Sequence, residues 1–255
     1  VRADAHAVCE ALSTEGASAK PAEIFQNAII IESPALQNTK AYRDGLFHVQ
    51  DISSQFCAAA LGAKPGDRVL DVCAAPGGKT FTVAEIMENR GEVVACDLHA
   101  KRAKLVKTGG ERLGLGIITA RANDATVYDE SFGKFDKVLC DVPCSGLGVI
   151  RRKPEIRFKK PEDLQSLPKI QYRIAAVSAK YLKEGGVLVY STCTLSRDEN
   201  ENVVKQLMER EGLLPEKLPE ELQKYSADGY SVTLLPGEIN SDGFYFARLR
   251  KGKAE

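Results

Sequence analysis

"KPGDRVLDVCAAPGGKT" (residues 64–80) decides the fold. A Pro-Gly turn leads into the strand-like "RVLDV" (68–72), and a short loop with paired glycines then opens onto a helical run. Strand, glycine loop and helix form the opening unit of an α/β sheet, where ligands bind at the strand ends. Gly77 and Gly78 permit a tight turn and a close approach of backbone to ligand. From this point strand-like and helix-like segments alternate. Strands are expected at 68–72, 92–96, 117–121, 135–141 and 187–191, with helices near 78–89, 99–113 and 162–183. Strands apolar throughout, alternating with helices, predict a doubly wound α/β fold with a mostly parallel sheet covered on both faces. The tail differs. "YSVTLLP" and "GFYFARLR" flank a turn-rich "GEINSDG", which predicts an antiparallel C-terminal hairpin at the sheet edge.

Upstream, "AHAVCEALSTEG" has helical spacing that ends at Gly16, and "NAIIIES" is strand-like. The expected organisation is a small α+β subdomain over 1–47, followed by a larger domain over 48–255. The opening "VRADAHAVCE" lacks a Met and the layout of a signal peptide, and reads as a cut inside a longer protein.

Composition narrows the function classes. With 44% hydrophobic and 27% charged residues, the 255-residue chain suits an ordinary globular core. The formal net charge is zero, so a nucleic-acid surface must come from local clustering. No apolar run is long enough to span a membrane. Seven cysteines are too few for a disulfide framework at this length and fit a reducing cytoplasm. His6, His48 and His99 are scattered and not spaced with cysteines as zinc ligands, so no metal is expected.

Three cofactors compete for the glycine loop. A mononucleotide P-loop would use Gly78, Lys79 and Thr80, but Cys73 occupies the place of its first glycine. A dinucleotide fingerprint is absent. S-adenosylmethionine carries no phosphate and suits a loop built for adenosine and methionine. Asp97 closes the second expected strand, 26 residues after Asp71, where a carboxylate usually grips ribose hydroxyls. Asp124 follows the third strand and is placed to meet the adenine edge. Loop and Asp97 together favour S-adenosylmethionine.

Two later strands end on thiols: "KVLCDVPCSG" (137–146) and "VLVYSTCTLS" (187–196). A cysteine is more often a small buried hydrophobe than a nucleophile, and that reading is applied to Cys9, Cys57, Cys96 and Cys140. Cys73 is expected to shape the loop only. Cys144 and Cys193 differ, because each lies just past a strand end among turn formers. Carbon 5 of cytosine attacks a methyl donor only after a thiolate adds to carbon 6, and a second group must then help release the product. Asp141, Cys144 and Cys193 supply those chemical types. The residues alone yield two thiols and an acid beside a cofactor loop.

"DVCAAPGGKT", "DVPCSGLGVIRRKPEIRF" and "YSTCTL", with "HVQDISSQ" (48–55) and "DGFYFARL" (242–249), resemble the NSUN (Sun-type) family of RNA cytosine-5 methyltransferases. The likeness is greatest to the bacterial RsmB-type enzymes of small-subunit (16S) ribosomal RNA, and it covers most of residues 42–250. It implies a Rossmann-like methyltransferase fold, with Cys193 as nucleophile and Cys144 assisting release. It further implies that Cys73, Ala74, Ala75, Pro76, Gly77, Gly78 and Lys79 wrap the methionine end of the cofactor. Asp97 would hold the ribose, Asp124 would lie near the adenine, and Asp141 would stand between cofactor and target base. Lys79 would reach the active site. The early segment resembles the family's small RNA-binding subdomain, which in RsmB-type proteins usually follows a further helical RNA-binding domain.

"RRKPEIRFKK" (151–160) places six basic residues against one Glu directly after the Pro-Cys motif. Arg151, Arg152, Lys153 and Arg157 are expected at RNA phosphates, with Phe158 stacking on a base or packing inward. The "KRAKLVK" run (101–107) reads as a solvated helix face. A monomer is expected. The rival readings are a non-catalytic RNA-binding ribosome-assembly factor and a DNA cytosine-5 methyltransferase, which would attack with the Pro-Cys thiol.

Overall fold

The computed structural model describes residues 3–25, 27–33, 35–237 and 239–252. Residues 1 and 2 of the opening stretch, residue 238 of the turn-rich stretch and the last three residues lie outside these ranges. The chain begins with α1 (Ala5–Thr14), a two-stranded antiparallel sheet of β1 (Ser18–Pro21) and β2 (Ile29–Glu32), and α2 (Lys40–Arg43). The Asp4 side chain caps α1 by accepting from Ala7 N. Val8, Leu12, Ala17, Ala41 and Phe47 form the small core of this part.

The larger part follows as α3 (Ile52–Ala60), β3 (Arg68–Asp71), α4 (Gly78–Ile86), β4 (Glu92–Asp97), α5 (Ala100–Leu113), β5 (Ile118–Ala122) and β6 (Phe135–Asp141). It continues with α6 (Pro161–Leu164), α7 (Leu167–Lys180), β7 (Leu182–Thr192), α8 (Glu201–Glu211) and β8 (Leu213–Pro215). α9 (Glu220–Gln223), β9 (Ser231–Leu234) and β10 (Phe244–Lys251) complete it. The sheet order is β5-β4-β3-β6-β7-β10-β8, with β9 also paired to β10. β3 to β7 run parallel to one another, whereas β10 is antiparallel to β7, β8 and β9.

The doubly wound sheet and the terminal hairpin therefore match the expectation. The hairpin joins the parallel strands at β7, and β8 pairs with the far side of β10 as well, so β10 has neighbours on both sides. Its Phe244–Leu249 stretch is buried throughout, so this strand has packing on both faces. The expected 162–183 helix divides into α6 and α7, with Pro168 in the first turn of α7. Proline suits a first turn, where its missing N–H breaks no helical bond.

Two apolar layers cover the sheet. Phe56, Phe81, Val83 and Met87 pack on one face, and Ile174, Ala175, Val203 and Leu207 on the other. Arg112 of α5 joins the small N-terminal part to this body. Its guanidinium donates to the carbonyls of Tyr42 (2.5 Å) and Phe47 (3.1 Å) and lies 3.8 Å from the Tyr42 ring centroid.

The consequence for function lies at one edge. β3, β4, β6 and β7 all deliver their C-terminal ends to the same side, and the chain order reverses between β3 and β6. That is the topological switch point where open α/β sheets bind ligands.

Candidate active site

β3 ends on Asp71, which is 2% exposed. Thr80 Oγ1 donates to its Oδ2 at 2.7 Å, while Oδ1 is buried without a hydrogen-bond partner. Burial pushes its carboxyl up to about 7, despite the opposing Thr80 bond. The loop then turns tightly. Ala74 N donates to the Cys96 carbonyl at 2.7 Å, and Pro76 follows a cis peptide bond. Gly77 has φ 116°, and a Cβ there would overlap the Phe81 ring. The glycine is thus required both by its backbone and by the space it leaves. Cys73 is no nucleophile, since burial raises its thiol well above the ordinary value.

Asp97, at the end of β4, is 5% exposed. Its Oδ1 accepts from His99 N at 3.0 Å, and its Oδ2 lies 3.3 Å from Arg102 Nε. Arg102 also donates to the Ala75 carbonyl at 2.9 Å. One guanidinium therefore links the carboxylate to the glycine loop. The sequence reading missed this, because Arg102 lies in the basic run assigned to a solvated face. Asn123 N donates to the Asp97 carbonyl at 2.9 Å, which brings Asp124 to the same rim. The Asp124 carboxylate is exposed and turned onto Thr126, whose hydroxyl and N–H lower its pKa. A buried acceptor with no partner, a buried ribose-type carboxylate and a glycine turn fit S-adenosylmethionine, which offers an ammonium, hydroxyls and no phosphate.

Asp141 ends β6 and meets Lys79 from the start of α4, Nζ to Oδ2, at 2.7 Å. Ser191 Oγ donates to the other carboxylate oxygen at 2.8 Å, and Lys79 Nζ lies 3.3 Å from Ser54 Oγ. Burial pulls the Lys79 ammonium down, but the Asp141 charge with Cys57 and Asp71 outweighs it, so the pKa is raised. Ser54 and Ser191 were not singled out from the sequence, although Ser54 lies within the "HVQDISSQ" motif.

Cys144 and Cys193 come together, with Sγ atoms 3.2 Å apart. The hydrogen bond between the two sulfurs, in which either could donate, lowers the Cys193 pKa against the cost of burial. The same bond, with burial, raises Cys144 well above its ordinary value. At Cys193 the Asp141 carboxylate opposes the thiolate more than Lys79 favours it, so the hydrogen bond shared with Cys144 is what lowers this thiol. Burial raises Cys57, Cys96 and Cys140 to about 12, which makes them inert packing residues.

The basic run splits. Arg152 forms an ion pair with the buried Asp242 of the "DGF" turn, and Arg151 Nη2 lies 3.9 Å from the same carboxylate. Lys159 donates to the Ser145 carbonyl at 2.8 Å. Lys153 and Arg157 are exposed, and Ile156 is the residue that anchors the segment inward. Phe158 is 75% exposed, with the Arg157 guanidinium 4.9 Å from its ring centroid. Of the two placements expected for Phe158, the outward one is found. Among the described residues no group of three or more His, Cys, Asp or Glu could hold a metal ion, and no helix could cross a membrane.

The fold is that of Rossmann-like methyltransferases, and the residues at the strand ends fit S-adenosylmethionine as cofactor. The chain belongs to the family described as 16S rRNA methyltransferase RsmB/F, which matches residues 58–250. It is 38% identical over 260 residues to a Bacillus subtilis (strain 168) protein named "Probable ribosomal RNA small subunit methyltransferase B", covering 98% of this chain and 58% of that one. It is 34% identical over 247 residues to the ribosomal RNA small subunit methyltransferase B of Escherichia coli O127:H6, covering 94% and 55%. The structure of NSun6 from Pyrococcus horikoshii with SFG aligns at a TM-score of 0.79 and 33% identity, over 89% of this chain and 60% of that one. The chain thus spans under three-fifths of the length of these two curated relatives.

The buried Asp71 makes stability depend on pH. Its native carboxyl keeps a proton that the unfolded chain has lost between 3.8 and about 7, so the native state loses stability as pH rises through that window. Asp71→Asn should therefore stabilise the ligand-free protein by about 2–4 kcal/mol at pH 8 and by little at pH 4. Urea midpoints at the two pH values read the difference, and an equal gain at both would remove the buried-charge account.

Proposed function

We propose that this chain transfers a methyl group from S-adenosylmethionine to carbon 5 of a cytosine in RNA, with small-subunit (16S) ribosomal RNA as the substrate. The observation that carries the reading is the 3.2 Å contact between two thiols of opposite pKa shift, beside the Lys79–Asp141 pair. When bound, the cofactor supplies an electrophilic methyl group. Cys193, the more acidic thiol, adds as thiolate to carbon 6, and its electron pair forms the carbon–sulfur bond. The displaced ring electrons make carbon 5 nucleophilic. Once carbon 5 carries the methyl group, Cys144 takes its remaining proton. The carbon–hydrogen pair restores the ring double bond and expels the Cys193 thiolate.

Cys144 is suited to that later step because its acidity is conditional. It stays protonated while a Cys193 thiolate accepts its hydrogen bond. Capture of Cys193 on carbon 6 removes that acceptor charge and lets Cys144 ionise, giving its proton to solvent as the net proton the reaction releases. Asp141, held by Ser191, keeps the Lys79 ammonium beside Cys193, where it offsets part of the carboxylate's own opposition to a thiolate. Lys79, Asp141, Cys144 and Cys193 are thus the catalytic set. Asp97 would hold the ribose and Asp124 the adenine side, with residues 73–79 around the methionine end. The target base must leave any stack to reach Cys193.

RNA contacts are assigned to Arg151, Lys153, Arg157 and Phe158, with Arg152 shared with Asp242, and to the subdomain over 1–47. Free thiols on this chemistry suit a reducing cytoplasm.

Asp97→Ala should weaken S-adenosylmethionine at least about tenfold, since each charge-assisted bond to a ribose hydroxyl contributes roughly 1.5–3 kcal/mol. Calorimetry with unchanged affinity would take Asp97 out of the ribose site.

Replacing Arg151, Lys153 and Arg157 together by Gln should flatten the salt dependence of RNA binding by about 2 in log–log slope, at roughly 0.7–0.9 per phosphate contact. Arg152→Gln should instead lower thermal stability, because it strands the buried Asp242. An unchanged slope for the triple variant would assign the segment to plain surface.

The decisive experiment reads adducts and product. The wild type should form 5-methylcytosine in 16S RNA. Cys193→Ala should give neither product nor adduct, whereas Cys144→Ala should trap RNA on denaturing gels, and the double variant should trap none. Trapping by Cys193→Ala instead would make Cys144 the nucleophile, as in the DNA-type mechanism. Methylation unaffected by either change would end the two-thiol reading.

A further inference from the structure

The two thiols lie on different loops, and a sulfur–sulfur hydrogen bond is too weak to hold two loops in register. Other groups must set their distance. Glu199, 3% exposed, follows the β7 loop and reaches back to the Pro-Cys loop. Its Oε2 accepts from Ser145 N at 2.9 Å and from Gln171 Nε2 at 2.8 Å. Gln171 Nε2, fully buried on α7, also donates to the Pro143 carbonyl at 3.0 Å. Both neighbours of Cys144 are therefore tied, directly or through one amide, to a single carboxylate oxygen. On the other loop Thr192 Oγ1 donates to Asn200 Oδ1 at 2.6 Å, and Asn200 Nδ2 donates to the Thr194 carbonyl at 3.0 Å. Both neighbours of Cys193 are thus tied to the residue next to Glu199. The loops also meet directly, Ser145 Oγ to Thr194 Oγ1, at 2.7 Å with both side chains fully buried. Tyr190 OH donates to the Glu199 carbonyl at 2.5 Å and fixes this junction to β7.

We propose that Glu199, through Ser145, Gln171 and the Ser145–Thr194 hydroxyl pair, is the positioning residue that sets the separation of Cys144 and Cys193. It thereby sets how the pair shares its proton. The inference rests on the two-thiol reading above. Glu199 hydrogen-bonds neither sulfur and acts on the backbone either side of Cys144, while the Ser145–Thr194 hydroxyl pair carries the constraint to the Cys193 loop. A carboxylate suits the task, because one charged oxygen holds two N–H donors about twice as strongly as a neutral acceptor. Charge alone would act the other way. A nearby carboxylate disfavours a thiolate, so removing the charge would make Cys193 more reactive, whereas loosening the Cys144 donor makes it less so.

The test needs neither RNA nor cofactor. Iodoacetamide alkylation of Cys193, mapped by peptide mass spectrometry from pH 6 to 10, reports its thiolate fraction. Cys144→Ala defines the rate without the donor and should be slower than wild type at neutral pH. Glu199→Ala should approach that rate, at least about threefold slower at pH 7, or half a unit in midpoint. Glu199→Gln, which keeps the length and one acceptor oxygen, should recover most of the loss. Ser145→Ala leaves the carboxylate in place and should show the same slowing; it decides the matter if Glu199→Ala does not fold. Wild-type or faster alkylation in Glu199→Ala, or in Ser145→Ala, would overturn the proposal, as would an unslowed Cys144→Ala. A wild type that makes no 5-methylcytosine would sink the proposed reaction while leaving this alkylation series to be judged separately.

Discussion

The Lys79–Asp141 pair is the contact on which the site depends. It joins the first residues after the glycine turn to the end of β6, at 2.7 Å across the point where the strand order reverses. Lys79 keeps 12% and Asp141 28% of their side-chain exposure, so the pair is largely removed from water. Such a pair is weak support for stability, yet loss of one partner costs roughly 3–5 kcal/mol through the charge left behind. Its value here is positional. The cofactor loop, held by α4, and the acid of the reacting side, held by β6, cannot shift apart without exposing an unpaired charge to a poor solvent. Ser191 extends the same constraint to β7, whose end carries Cys193.

Much of this was legible in the sequence, and the reasons are specific. The parallel core could be read because β3, β4 and β6 are buried on both faces and hence apolar in unbroken runs. Strand ends then located Asp71, Asp97, Asp141 and the two thiols on one edge. The pairing of β8 with β10 was not legible. A hairpin signal fixes which strands pair through the turn, but it does not say which other strand lies on the far side. α3 escaped because "ISSQFCAAA" mixes small residues that carry little periodic contrast, although its Asp51 cap is a recognisable start. Glu199, Gln171 and Asp242 escaped for a different reason. Nothing local distinguishes a buried polar side chain from a solvated one; only the loops that pack over it make the difference.

The basic segment shows the same limit. Six cations beside a catalytic motif suggest a phosphate surface, but charge density along a chain does not assign each charge a partner. Asp242 takes Arg152, and Lys159 turns inward to the Ser145 carbonyl. These inward contacts tie the segment to the Pro-Cys loop, while the outward Phe158 and Arg157 stay exposed. One stretch thus has two faces, of which one braces the thiol loop and the other meets solvent. In a chain of zero net charge, local concentration of this kind would serve the proposed RNA contacts without loading the whole surface with like charge.

The thiol pair turns this architecture into an ordered sequence of proton positions. Two equivalent thiols 3.2 Å apart would share one proton without preference, and neither would have a fixed role. The pair is not equivalent: the bond they share lowers Cys193 and raises Cys144, so the proton rests on Cys144. That assignment holds only while Cys193 is an anion. When its electron pair enters a carbon–sulfur bond, the acceptor that held the Cys144 proton is gone, and like-charge repulsion no longer opposes a second thiolate. In the proposed mechanism the nucleophile therefore prepares its own releasing base by being consumed. No moving part is needed for this exchange of roles, provided the sulfurs stay within hydrogen-bond reach before attack. A rigid frame of buried hydroxyls, amides and one carboxylate around two loops supplies that condition.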